Sequence, residues 1–344
     1  MGQAPRENLI GIAKLAASGD LLEAKRRVEY HSLPTRKFIG KCPNANLPFQ
    51  WTINPYRGCE YGCKYCYARY THEFMELRDG RQFEEQIYAK QWNPEAFRDE
   101  LRKLPHGDGV ALGTATDPYQ PAERRFGITR EMLRTFGDHG SWRVWITTKS
   151  DLVARDIDLL TAAQKRNTVG VMITITTLDE KLARAIEPFA PRPSLRLEAV
   201  RKLSEAGIPV GVGCSPVMPL INDSERGIDA VARAAAAAGA KRFFSNILFL
   251  SPSSYAVFLP FLEQQMPSLV RRYRERYSRT KYLKGEYPEM IAERVTAIRA
   301  RYGLNKPEAE QLPEAWAGTQ QLSLFEVSSK GKTGVQALPR YTDK

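Results

Sequence analysis

Three cysteines, Cys59, Cys63 and Cys66, stand four and three residues apart in the stretch Asn54-Pro55-Tyr56-Arg57-Gly58-Cys59-Glu60-Tyr61-Gly62-Cys63-Lys64-Tyr65-Cys66-Tyr67. Thiolates are soft ligands that suit iron–sulfur clusters, copper(I) or zinc. A structural zinc or an ordinary cubane cluster takes four protein ligands, and no fourth cysteine or histidine follows immediately. Three closely spaced thiolates leave one metal corner open, and an open corner is where a substrate or cofactor binds. Gly58 and Gly62 let the backbone wrap tightly and aim amides at sulfur. From spacing alone, a zinc knuckle or an incidental cysteine cluster is the alternative.

The elements that must position these cysteines follow from the apolar pattern. Residues 8–29 read as a helix, and residues 30–50, with Pro34, Pro43 and Pro48, as loop containing an incidental Cys42. Trp51-Thr52-Ile53-Asn54 is the first strand and delivers the cysteine loop at its C-terminal end. Helices over 68–78 and 94–104 precede the strand Gly109–Gly113. A helix over 128–137, the strand Arg143–Thr147 and a helix over 151–166 follow. Then come the strand Val169–Thr176, helices near 179–187 and 194–206, and the strand Ile208–Cys214. The alanine-rich helix 224–238 leads to a sixth strand from Arg242 to Phe249. Such alternation argues for parallel strands with outer helices, and pattern alone allows either a partial barrel or a doubly wound sheet. In both, ligands sit at the C-terminal strand ends.

Those strand ends carry candidates. Thr114 and Thr116 offer hydroxyls, and Asp117 a carboxylate able to receive an ammonium. Lys149 ends an apolar strand and offers an ammonium, and Thr174 and Thr176 end the next. The bland alternatives are β propensity for each threonine and turn capping before Pro118 for Asp117.

Cys-x3-Cys-x2-Cys with an aromatic residue just before the last cysteine resembles the signature of the radical S-adenosylmethionine superfamily. The resemblance implies that Cys59, Cys63 and Cys66 hold three irons of a [4Fe–4S] cluster and that the fourth iron chelates S-adenosylmethionine. Tyr65 then packs near the adenine, and Tyr67, Thr114, Thr116, Asp117, Lys149, Thr174 and Thr176 become the candidate cofactor contacts. It also implies an α/β fold built as a partial (β/α)6 TIM-like barrel, and a low-potential electron donor of the flavodoxin or ferredoxin type. Within the superfamily, Asn54–Cys59, Cys66-Tyr67, Thr114–Pro118 and Thr147-Thr148-Lys149 are similar to the spore photoproduct lyases and their bacterial relatives, over roughly residues 50–250. Those lyases repair a thymine dimer in DNA with a hydrogen-donor cysteine on the second strand end, and the matching position is Thr114. A threonine O–H is too strong a bond to donate a hydrogen atom readily, so the resemblance speaks for radical machinery more than for a substrate. Cys214, ending the fifth strand, is the other catalytic candidate, against the alternative of a small buried hydrophobe.

The 344 residues carry 51 Lys+Arg against 39 Asp+Glu, a formal charge of +12, which favours a polyanionic partner. No run of eighteen apolar residues and no apolar leader is present, so a cytoplasmic protein with reduced thiols is expected. The chain divides as an extension over 1–50, a radical barrel over 51–250, a basic, aromatic helical region over 251–306 and a mostly disordered tail over 307–344. Within the third segment, residues 271–284 hold seven basic residues, one acidic and three tyrosines. They are either a nucleic-acid contact or an amphipathic helix that packs Tyr273 and Tyr277, one turn apart, on the barrel. In the tail, Gln321-Leu322-Ser323-Leu324-Phe325 resembles the peptide with which bacterial repair proteins dock on the DNA sliding clamp. The sequence therefore points to a radical enzyme acting on nucleic acid. The alternatives are a radical enzyme for a protein or small molecule, and a non-catalytic metal-binding module that bridges DNA-bound partners.

Overall fold

The computed structural model describes residues 9–305 apart from Arg26 and Arg279. Among them eleven strands form two sheets: β1 (Leu21–Ala24), β2 (Glu29–Leu33), β3 (Ile39–Lys41), β4 (Trp51–Ile53), β5 (Tyr56–Arg57), β6 (Gln86–Lys90), β7 (Gly109–Leu112), β8 (Arg143–Thr148), β9 (Thr168–Thr174), β10 (Val210–Gly213) and β11 (Arg242–Phe244). The larger sheet runs β11-β10-β9-β8-β7-β4-β3. Its strands β4 and β7 to β11 are all parallel, and β3 closes one edge antiparallel to β4. Helices connect the parallel strands, among them Pro94–Leu101, Ile128–Asp138, Ile157–Gln164, Pro193–Glu205 and Glu225–Ala237. This is the partial TIM-like barrel that the family resemblance implied, and the described strands leave two edges unjoined.

The two faces of this sheet differ. Val110, Leu112, Val144, Ile146, Val171, Ile173, Val212 and Phe243 point outward and are buried with Met132, Leu133, Leu160, Val200, Leu203 and Val231 in one core. Each such aliphatic side chain contributes roughly 1.5–3 kcal/mol by leaving water. Strand alternation sends the intervening residues inward. There Trp145, Met172, Arg242 and Phe244 are half-buried and Thr147 is exposed. A closed eight-stranded barrel fills its interior with layered side chains; here the inward side chains keep part of their surface accessible.

The smaller sheet, β1-β2-β6-β5, corrects the expected N-terminal helix and loop. The helix spans only Gly11–Ala17. Gly19 follows at a point where a Cβ would collide with the Ser32 carbonyl, and Tyr30, Ser32 and Leu33 of β2 are buried. The expected helix over 68–78 is likewise reduced to a 3-10 turn at Tyr67–Arg69 and a short helix at Tyr70–Glu73. No described helix is long and apolar enough to cross a membrane. The tail peptide Gln321, Leu322, Leu324 and Phe325 lies outside the described residues.

Candidate iron–sulfur and cofactor site

The small sheet anchors the entry to the cysteine loop. Tyr56 and Arg57 pair with Ala89 and Tyr88, and the Cys59 amide donates to the Phe83 carbonyl at 2.8 Å. Gly58 has φ +79°, and a Cβ there would lie 2.7 Å from the Gln86 carbonyl oxygen; only glycine fits this approach. Gln120 then clamps the loop twice, accepting from the Glu60 amide at 3.0 Å and donating to the Gly58 carbonyl at 2.9 Å. The far side is tied to the helix Glu180–Ile186 and the turn after it, because the Lys64 amide donates to the Ile186 carbonyl and the Phe189 amide to the Tyr61 carbonyl. Arg69, fully buried, donates to the Cys63 carbonyl at 3.0 Å and pairs with Glu84 at 2.6 Å.

Cys59 and Cys63 are buried and Cys66 is half-buried. Burial pushes the Cys59 thiol well above its ordinary range and the Cys63 thiol up to about 12, with the neighbouring sulfurs adding to it. The Tyr61 amide faces the Cys59 sulfur. Cys42 and Cys214 donate to the carbonyls of Asn44 and Thr176. By contrast, the thiols of Cys59, Cys63 and Cys66 donate to no acceptor among the described residues. No three His, Cys, Asp or Glu among those residues are gathered as they would be around a single metal ion. The three thiols are near enough to act on one another electrostatically, and thiols left without an acceptor suit a cluster held at three corners.

One buried network links this loop to the strand ends. Glu187 accepts hydrogen bonds from Tyr65 and, at 3.0 Å, from Thr176 Oγ1, and it pairs with Arg196 at 2.6 Å. Arg196 also donates to the carbonyls of Pro191 and Thr174. Burial would raise the Glu187 carboxyl, but Arg196 and then Lys149 outweigh it and hold it below its ordinary value. The Lys149 ammonium lies 5.7 Å over the Tyr65 ring. Burial opposes its charge, yet Cys63 and Glu187 raise it above the ordinary lysine value. Glu187 and Arg196 escape sequence reasoning because a charge in a helical segment normally faces water. The one available signal was Arg196 interrupting the apolar pair Leu195 and Leu197.

The structure sorts the expected site residues. Tyr65, Lys149 and the three cysteines converge. Tyr67 stands at the same mouth and donates to the Thr114 carbonyl. The Thr114 hydroxyl accepts from Asn54 at 3.2 Å; Asn54, which its sequence position does not single out as a contact, also receives the Ala115 amide at 2.8 Å. Thr174 is buried at the end of β9, and its carbonyl is engaged by Arg196. Several expectations require correction. Thr116 is buried and donates to the Tyr56 carbonyl, and Thr176 is committed to Glu187, so neither hydroxyl faces the mouth. Asp117 accepts from Thr148 Oγ1 at 2.7 Å, the Tyr119 amide at 2.9 Å and the Lys149 amide at 2.6 Å. It braces the ends of β7 and β8, with three of about four lone-pair sites taken. Cys214 is fully buried in the core, its thiol donating to the Thr176 carbonyl 3.5 Å away, so its S–H is not presented to a substrate. On the helix Val270–Tyr277, Tyr273 and Tyr277 are buried and donate to the carbonyls of Pro219 and Leu248. Those rings serve packing and cannot stack on bases.

Fold and site together define a partial-barrel protein that offers three thiolates to a cluster at the C-terminal ends of its strands. A family model described as the radical SAM superfamily matches residues 53–230. The chain belongs to that superfamily, whose cofactors are a [4Fe–4S] cluster and S-adenosylmethionine. It is 36% identical over 292 residues to the uncharacterized protein Rv2578c of Mycobacterium tuberculosis, covering 84% of this chain and 86% of that one. It is 30% identical over 246 residues to the uncharacterized protein MJ0683 of Methanocaldococcus jannaschii, covering 70% and 85%. Among solved structures it resembles a spore photoproduct lyase mutant with bound AdoMet and dinucleoside spore photoproduct, with TM-score 0.57 and 18% identity over 78% of this chain and 76% of that one. That likeness is one of fold.

Proposed function

We propose that this radical S-adenosylmethionine enzyme abstracts hydrogen from a nucleic-acid substrate, in repair or modification of DNA. When bound, the cluster and S-adenosylmethionine supply a primary alkyl radical through one-electron reductive cleavage, with the electron drawn from a flavodoxin- or ferredoxin-type donor. The chain's own part is to hold and shield. Cys59, Cys63 and Cys66 hold the cluster, and Tyr65, fixed by Glu187, forms an aromatic wall beside it. Lys149 offers a positive charge to a carboxylate or hydroxyl at the same mouth. Thr114, with its strong O–H bond, is a contact residue and not a hydrogen donor.

The observation that carries the substrate reading is a set of exposed aromatic rings beside the cysteine loop. Tyr67 is 45%, Tyr70 38% and Phe74 58% exposed, and Phe249, stacked on Tyr282 at 4.5 Å, lies 6.4 Å from Tyr67. Exposed aromatic faces suit unstacked bases. The charge of +12 and the dinucleoside bound by a protein of similar fold support the same reading.

The test is anaerobic reconstitution followed by a dithionite assay of 5′-deoxyadenosine release. Single-stranded DNA should stimulate release several-fold over buffer, peptide or small metabolites. Alanine at Cys59, Cys63 or Cys66 should remove both iron and release, while Cys42→Ala and Cys214→Ala should keep both. Equal release with and without every polynucleotide tried would end the nucleic-acid reading.

A further inference from the structure

Parallel strands are normally covered on both faces, yet on the concave face of the parallel strands β8 to β11 Thr147 is exposed and Arg242 half-buried. No carboxylate pairs with Arg242 among the described residues. Its guanidinium lies 4.9 Å over the Trp145 ring, and Trp145 in turn lies flat on Gly170, where a Cβ would collide with the indole. One face of the guanidinium is thereby fixed, and its donor edges are left for a ligand. Phe244 stands two residues further along β11. The register of Arg242 and Phe244 with Gly211 and Gly213 of β10 puts both on this face. A Cβ on Gly213 would sit 2.5 Å from the Phe244 ring, so the missing side chain lets that ring lie against the sheet. Residues i and i+2 of a strand are about 6.7 Å apart, a span that fits one phosphate and its neighbouring base. Phe244 is the upper of the two, level with Thr174 across Gly213, on the side from which the cysteine loop approaches.

We propose that Arg242 and Phe244 form a substrate-anchoring subsite inside the barrel: Phe244 stacks on one base and Arg242 holds the adjoining phosphate. The inference rests on the nucleic-acid reading above and adds the residues that recognise the polymer. A fixed guanidinium matches a phosphate through paired donors, and the occupant is one nucleotide unit of a single strand.

The experiment is fluorescence anisotropy of labelled oligothymidylate on the reconstituted full-length protein, across a range of salt. Arg242→Gln should weaken binding about tenfold and reduce the slope of log affinity against log salt by about 0.7, as loss of one phosphate contact requires. Phe244→Leu should weaken binding by a similar factor with the slope unchanged. Arg242→Lys should keep the slope while losing affinity. Iron content and thermal midpoint identify any variant that fails to fold, and Phe244→Leu and Arg242→Lys then decide the question without it. If the unaltered protein binds but these variants bind equally well with the same slope, the subsite is wrong and the nucleic-acid reading stands. If the unaltered protein binds no oligonucleotide, both fall.

Discussion

The Glu187 carboxylate and the Arg196 guanidinium lie 2.6 Å apart and out of contact with water, and Tyr65, the neighbour of Cys66, donates to that carboxylate. A buried pair broken on one side leaves an uncompensated charge. Arg196→Met should lower the unfolding free energy by about 3–5 kcal/mol, read from urea titration. Glu187→Gln should cost less, because Arg196 keeps the carbonyls of Pro191 and Thr174. Arg196→Met with unchanged stability would mean that the pair does not secure the loop.

Asp117 should behave as a brace. In Asp117→Asn one oxygen still serves Thr148 and Tyr119, but the amide nitrogen meets the Lys149 N–H donor head-on. The expected loss is about 1–3 kcal/mol, seen as a lower thermal midpoint in protein without cofactor. A variant of full stability that fails only to bind S-adenosylmethionine would instead assign Asp117 to the ammonium of that molecule.

His72 should set an acid limit. Burial lowers its pKa from 6.5 to about 4, and its Nε2 faces the Gln86 carbonyl at 3.1 Å. Between those values the unfolded chain binds the proton and the folded chain does not, so stability is full above pH 6.5 and falls as the pH drops toward 4. The loss approaches about 3 kcal/mol. His72→Gln, which retains a donor for Gln86, should flatten this part of the pH profile; an unchanged profile would assign the acid loss elsewhere.

The helix Val270–Tyr277 should separate packing from charge. Tyr273→Phe removes a buried hydrogen bond of 2.8 Å to Pro219 and should cost about 1 kcal/mol without changing oligonucleotide retention. Glutamate at Arg271, Arg272 and Arg276, all exposed, should weaken retention and its salt dependence. Loss of retention in Tyr273→Phe at normal stability would overturn the packing assignment.

The parallel strands were legible because β7 to β10 are short apolar runs bounded by glycines and turns, and the cysteine trio because its spacing is local; the choice of a barrel over a doubly wound sheet came from the family resemblance. The small sheet was not. β5 has two residues, β6 ends in Lys90, and β2 finds its partner β6 more than fifty residues away. Position at a strand end also does not tell which way a side chain turns, since the direction reverses with every residue. Lys149 lies over Tyr65, whereas Thr116, Thr176 and Cys214 turn into the body of the protein. Asp117 could be placed at a strand end but not identified as a brace, because its three donors come from backbone and side-chain groups up to 32 residues distant.

The unjoined edges β3 and β11 have a bearing on how long a substrate can be. A closed ring would admit only a free end or a residue small enough to drop in from above. For the nucleic-acid substrate proposed above, a sheet curved through part of a circle would take the polymer from the flank, so that an interior unit of a long chain reaches the radical without any terminus being threaded first.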